Sequence, residues 1–409
     1  MDRNRRSRLI DALGLQRDIV VMASMIFLLS TGEELWARYL PKYLELLGAS
    51  ITIIGFFGSA RDLLDAAYLY PSGYVSDRIG SQQSLIAFCA LSFVGYAFYL
   101  VAPHWSFIFI GLTFVMVSPR TTPPAMFAVI AEELPYDRHV TGFSVVSVFK
   151  RIPEMLAPLV GGLLITGLGL RYGMKVALLI TLVLTAITIL VQRRFYVGRG
   201  QVKATSTNRI LEEIKAAPPP LRRLLVSDIL VKTADRMITV LVVLYLIDIL
   251  DRSVLEVGTL VAIQKIATVI GYVPAASLAD RYGRKPFVVI SFLSYTLFPL
   301  ALVLSYNFAT LSLAFLIDGF RQVGEPARKA VLVDLARAGA RGRTIGLYHF
   351  IRSLAIMPAA AIGGLLWNVR PVIPFLVASF IGFMGAILFI ISPDVVRAEA
   401  ATLGEELAI

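Results

Sequence analysis

A charge in the middle of an apolar stretch costs several kcal/mol unless it is paired or faces water, so each such residue is a candidate for chemistry. Here they are Glu33 and Glu34; Arg61, Asp62 and Asp65; Arg120; Lys150, Arg151 and Glu154; Lys232, Asp235 and Arg236; Lys265; Asp318, Arg321, Glu325 and Lys329; and Arg352. Spacing sorts them. Arg61 with Asp65, Lys150 with Glu154, Arg321 with Glu325, and Glu325 with Lys329 stand four positions apart and on a helix can pair on one face. Glu33, Glu34 and Asp235 have no oppositely charged mid-span residue at that spacing. Together with Asp62 they are the candidates for handling a coupling ion, because a proton carrier must be neutral in one state and ionised in another, which a buried carboxyl can be. Arg120, Arg151, Lys265, Arg321 and Arg352 outnumber their partners on the same helix, which favours an anionic solute held by guanidinium forks and an ammonium point charge. The rival reading is structural: the spaced pairs only neutralise one another, and the remaining cations pair across helices with Glu33, Asp62 or Asp235.

What must position these side chains is a set of membrane helices. Hydrophobic residues make up 57% of the 409 and charged residues 16%, with a mean hydropathy of +0.74; stretches of about 20 apolar residues match the hydrocarbon thickness of a bilayer. Twelve spans are expected, at 18–40, 51–75, 84–102, 107–131, 142–168 and 174–195, then 224–250, 254–278, 287–305, 309–333, 344–367 and 372–391. The expected fold is therefore an all-α membrane protein whose twelve transmembrane helices form two pseudo-symmetric six-helix bundles. Residues 1–195 make the N-terminal bundle, 196–222 a cytoplasmic linker with three consecutive prolines, and 223–409 the C-terminal bundle with a short tail.

The net charge of +11 lies in alternate loops, from Arg3, Arg5, Arg6 and Arg8 to Arg337, Arg341 and Arg343. That is the positive-inside asymmetry: it puts both termini in the cytoplasm of a multi-pass inner-membrane protein and argues against nucleic acid as a partner. The basic N-terminus runs into a span of full length and reads as a retained helix. Cys89, the single cysteine, cannot make an intrachain disulfide. His104, His139 and His349 are scattered with no ligand cluster, and no G-x-x-x-x-G-K-[ST] stretch occurs, so no metal, cofactor or ATP-driven step is expected. No nucleophile–base pair suggests an enzyme. The tryptophans fall near span ends, where an interfacial belt explains them, with Trp36 also placed to face a cavity.

The chain repeats itself. Asp77 and Asp280 sit in similar polar breaks, G-Y-V-S-D-R-I-G-S-Q and A-S-L-A-D-R-Y-G-R-K, 280 − 77 = 203 positions apart. Pro124, Ala125, Ala128, Val129 and Glu132 match Pro326, Ala327, Ala330, Val331 and Asp334 at an offset of 202, as does Gly161-Gly162-Leu163-Leu164 with Gly363-Gly364-Leu365-Leu366. Ordered Pro, Gly and acid positions at one offset indicate duplication.

These breaks resemble the signature between the second and third helices of the major facilitator superfamily, G-x-L-a-D-r-x-G-r-k. The first copy keeps Gly73, Asp77, Arg78 and Gly80 but has Ser81 and Gln82 at the basic end; the second keeps Asp280, Arg281, Gly283, Arg284 and Lys285, with Ala276 for the leading glycine. The resemblance implies a secondary transporter working by alternating access, spans 1, 4, 7 and 10 lining the cavity, and the two breaks acting as conformational latches. Ala157-Pro158-Leu159-Val160-Gly161-Gly162 is similar to the G-P-x-x-G-G motif of antiporters in that superfamily, which points to export; close helix packing is the plain alternative. Arg120 stands four residues before Pro124, followed by Thr121-Thr122-Pro123, which departs from the family pattern on that span, so no proton-relay role passes to it. The expected partners are a small organic substrate, anionic on the reading of the surplus cations, the bilayer and H⁺, with a monomer as the working form. A transporter-like sensor or assembly subunit is the alternative.

Overall fold

Every described element is helical, as the apolar periodicity requires in a medium where backbone groups must bond within their own segment. The structure, a computed structural model, describes residues 17–79, 81–117, 139–195, 219–335 and 341–392. The elements in order are α1 (Arg17–Glu34), α2 (Leu40–Leu46), α3 (Ile51–Ile79), α4 (Ser81–Val101), α5 (Trp105–Val115), α6 (His139–Phe195), α7 (Pro219–Thr239), α8 (Leu241–Leu244) with a π turn at Tyr245–Ile249, α9 (Val254–Tyr282), α10 (Lys285–Val303), α11 (Phe308–Phe320), α12 (Glu325–Leu335), α13 (Arg341–Ile356), α14 (Ala359–Trp367) and α15 (Ile373–Ile391).

Six stretches among the described residues are long and apolar enough to cross a bilayer: Gln83–Val101, Phe149–Arg194, Val254–Gly271, Lys285–Val303, Thr344–Trp367 and Ile373–Ile391. Phe149–Arg194, at 46 residues, is too long for one pass and bends at Gly169, whose φ of 78° and ψ of 158° no helix contains. It holds the fifth and sixth expected spans, joined through one glycine. Residues 118–131 of the fourth expected span, with Arg120, lie outside the described residues.

Several spans are broken where the sequence suggested continuity. The first stops at Glu34 and restarts at Leu40, with Pro41 at the head of α2, where a missing N–H does no harm. The tenth is α11 and α12, interrupted at 321–324 just before Pro326, whose ring cannot follow a helical carbonyl four residues back. The eleventh breaks at Pro358 between α13 and α14. Freed backbone groups find partners: Ser291 Oγ donates to the Arg321 carbonyl, and the Ala361 amide donates to Ser59 Oγ at 3.0 Å. Helix α7 begins at Pro219, so residues 219–222, expected in the linker, form its first turn; residues 196–218 lie outside the described residues.

The chain divides into two compact units, one within 1–50, 63–206 and 251–262 and the other within 51–62, 207–250 and 263–409. In the first, α1 packs along α6 and α4 packs on α5 and α6; in the second, α15 packs on α7 and α10, and α7 also packs on α13 and α14. The starts of α3 and α9 occupy equivalent positions in the repeat, and each belongs to the unit formed mainly from the other half of the sequence. Trp36 is buried edge-on against Tyr96 and Tyr99, and Trp367 is buried against Tyr245 and Phe375. Both therefore sit in the protein interior, not in an interfacial belt.

Candidate coupling and substrate site

Helix α7 carries Asp228, Lys232 and Asp235 at i, i+4 and i+7, one face of a 3.6-residue helix. Asp235 accepts from Arg321 Nη1 at 2.8 Å, and the same nitrogen lies 3.2 Å from Asp318 Oδ1. Gln264 Nε2 donates to the other Asp318 oxygen. Two carboxylates thus share one guanidinium. Arg321 is the first residue past α11, and its side chain reaches Asp235 on α7. The break in the tenth span removes the helical geometry that would have paired Arg321 with Glu325. Glu325 instead takes a two-pronged fork from Arg328, with both Nη2–oxygen distances 2.7 Å, and lies 3.9 Å from the mostly exposed Lys329.

Asp228, fully buried, collects three donors on Oδ2: Arg328 Nη1 at 2.5 Å, Arg352 Nη1 at 2.9 Å and Tyr348 Oη at 2.9 Å. Its Oδ1 accepts no hydrogen bond among the described residues. Asp228, Arg328, Tyr348 and Gln264 were not singled out from the sequence. The available signals were the i, i+4, i+7 run on α7 and the i, i+3 pair Glu325–Arg328.

The other sequence candidates are placed as follows. Asp62, buried on α3, lies 3.5 Å from Arg236 Nε on α7. Glu33 and Glu34 end α1 half-buried; the Glu33 carbonyl accepts from the Trp36 and Ala37 amides, and Glu34 Oε2 is buried with no hydrogen bond among the described residues. Arg151 on α6 and Lys265 on α9 are half-buried. Lys150 and Glu154 pair at 3.9 Å. Gly73, Asp77 and Arg78 lie on the last turns of α3 and Asp280 and Arg281 on the last turn of α9, while Gly80 lies outside the described residues. Gly283, with a φ of 91°, makes the turn that only glycine adopts freely. Next to it Arg284 is half-buried, and Lys285 Nζ donates to the Ser392 carbonyl at 2.6 Å, satisfying the end of α15.

Glycines replace side chains where helices cross. A Cβ on Gly161 would lie 1.9 Å from the Leu35 carbonyl oxygen, and one on Gly363 would lie 2.1 Å from that of Met237. These contacts are equivalent at an offset of 202. The Gly-Gly of the antiporter-like motif therefore has a packing role that the second half repeats, which weakens it as a sign of export.

Membrane-length helices, internal duplication and charge clusters at a helix break define a membrane transport protein. The profile of the Major Facilitator Superfamily matches residues 22–229 and 224–407, and the chain belongs to that family. An uncharacterized MFS-type transporter of Methanocaldococcus jannaschii is 23% identical over 384 residues, covering 92% of this chain and 95% of the relative. Among solved structures, a point variant of the nucleoside transporter NupG superposes with a TM-score of 0.79 at 13% identity, covering 91% of this chain and 98% of that one. The human organic anion transporter MFSD10 does so at 0.65 and 17%, covering 91% and 99%. These likenesses give the fold: an all-α transporter of two six-helix bundles.

Proposed function

We propose that this transporter moves a small organic solute by alternating access, driven by protons, as a monomer in the cytoplasmic membrane with both termini inside. The supporting observation is the Asp235–Arg321–Asp318 arrangement: two carboxylates within 3.2 Å of one guanidinium nitrogen form a coupled acid site, where a proton can be taken up or released on one carboxylate while the other keeps the ion pair. Its position at a discontinuous helix is where secondary transporters of this plan hold coupling ions and substrates. Glu33, Glu34 and Asp62 remain the further coupling candidates. For an anionic solute, the likeness to an organic anion transporter is the support; Arg321 and Arg352 do not add to it, because carboxylates already engage them. Arg120, Arg151 and Lys265 stay assigned to the substrate path.

A ligand-induced thermal-stabilisation screen over organic anions, nucleosides and sugars identifies the solute, and proteoliposomes then test its movement. The wild type accumulates it under an imposed proton gradient. Asp235→Asn keeps counterflow exchange but loses gradient-driven accumulation; full accumulation by this variant, or binding without any accumulation by the wild type, defeats the reading. The Asp77 and Asp280 breaks act as latches of one closed state, residues 1–195 and 223–409 being the bundles they hold together. Asp77→Asn is expected to lower turnover several-fold with solute binding retained, and unchanged turnover rules the latch out.

A further inference from the structure

Helix α9 carries Gln264, Ala267, Thr268 and Gly271 at i, i+3, i+4 and i+7, a single face. That face lies along the broken end of α11. Gln264 Nε2 donates to Asp318 Oδ2, and Thr268 Oγ1 donates to the Gly319 carbonyl at 3.1 Å. The break sets that carbonyl free: the Val323 amide, which a continuous helix would aim at it, donates to the Phe320 carbonyl instead. Two glycines close the fit. A Cβ on Gly319 would lie 2.5 Å from that of Ala267, and one on Gly271 would lie 2.7 Å from Val323 Cγ2.

These contacts differ in what they respond to. The Thr268 bond ends on a carbonyl and the glycine contacts are steric, so none of them senses a proton. The Gln264 bond ends on a carboxylate. Its strength follows ionisation, because a hydrogen bond to a charged acceptor is roughly twice as strong as one to a neutral acceptor. Arg321 Nη1 stands 2.8 Å from Asp235 and 3.2 Å from Asp318, so Asp235 keeps the guanidinium when Asp318 takes a proton. Further charged and titratable groups near the site are Tyr295 on α10, whose ring centre lies 5.6 Å from the Arg321 guanidinium carbon, and Lys232 on α7, which donates to the Tyr295 hydroxyl. Lys265 follows Gln264 along α9.

We infer that Gln264 makes the position of α9 depend on the protonation of Asp318. This rests on the proton-coupled reading above. With Asp318 ionised, the Gln264 and Thr268 bonds both hold α9 to the end of α11. A proton on Asp318 weakens the first alone, and α9 is left to turn about the Thr268–Gly319 contact. The helix belongs to both compact units: its first turns, up to Ala262, are part of one and the rest is part of the other. A turn at Gln264 therefore acts on an element that the two units share. Gln264 is a positioning residue, since it neither carries the proton nor touches the solute.

The test uses the full-length protein in lipid nanodiscs, spin-labelled at Tyr282→Cys and Ile391→Cys in a Cys89→Ser background. Both labelled positions are exposed, and Tyr282 ends α9 roughly 20 Å along the helix from Thr268. The interspin distance is followed from about pH 5 to 9. The native side chains give a distance change with a defined midpoint, and Asp318→Asn abolishes it. Gln264→Met, close in volume to the native side chain, reduces the change several-fold, whereas Thr268→Val keeps it because the partner of that hydroxyl does not titrate. A native-sized change in Gln264→Met, with Asp318→Asn flat, overturns the Gln264 role and leaves proton coupling intact. An equal loss in Gln264→Met and Thr268→Val also overturns it, by marking packing alone as the cause. No change in the native protein, or one that survives Asp318→Asn, overturns the inference, and the proteoliposome assay then decides proton coupling by itself. Gln264→Asn, whose amide falls one carbon short of Asp318, carries the test where Gln264→Met does not fold, and a native-sized change there again overturns the role.

Discussion

Arg328→Met is expected to destabilise the protein by about 3–5 kcal/mol, because it strands a buried carboxylate. Arg328 is 6% exposed by side chain and Asp228 is 0% exposed, so neither has water to fall back on. Removing the arginine takes one of three donors from Asp228 and the whole fork from Glu325. The exposed Lys329 at 3.9 Å is a weak replacement. The measurement is a chemical-denaturation series in detergent, run as a cycle with Asp228→Asn. The double variant is expected to be more stable than the sum of the single effects, since the second change removes the stranded charge. Strict additivity would mean that the cluster is not an energetic unit.

Gly161→Ala and Gly363→Ala are expected to be nearly as damaging, for a steric reason. The added methyl would sit 1.9 Å from the Leu35 oxygen in one case and 2.1 Å from the Met237 oxygen in the other, both backbone atoms that no rotamer change can move. Relief requires separating two helices by about 1 Å or more, which undoes close packing along their length. In a bilayer, where the lipid is as apolar as the side chains, that packing is much of what holds helices together. Gly167→Ala is the control on the same helix, because nothing lies within 4 Å of its added Cβ. Size-exclusion profiles of detergent extracts should show a monodisperse peak for Gly167→Ala and its loss for the other two. Monodisperse Gly161→Ala and Gly363→Ala would show that the helices separate without penalty and that the motif has another purpose.

The symmetry of those two contacts was visible before any coordinates, as Gly161-Gly162-Leu163-Leu164 repeated at Gly363-Gly364-Leu365-Leu366. The contacts follow from a local requirement, a backbone crossing that leaves no room for a side chain, which only glycine meets. The interruption at 321–324 was foreshadowed by Pro326, but a proline alone does not say whether a helix bends or stops, and here it stops.

Residue types and their periodicity determined the solvent, the duplication and part of the list of buried charges, without Asp228 and Arg328, because each depends on neighbours a few positions away or on a regular repeat. The pairing of those charges was decided only by the tertiary structure. Asp235 meets Arg321 across 86 positions and Asp228 meets Arg352 across 124. Such contacts follow from which helix faces meet and where a span breaks. The break at 321–324 removes the helical register between Arg321 and Glu325, so Arg321 meets Asp235 instead, and the packing of α12 and α13 on α7 buries Asp228, a residue near the edge of its expected span.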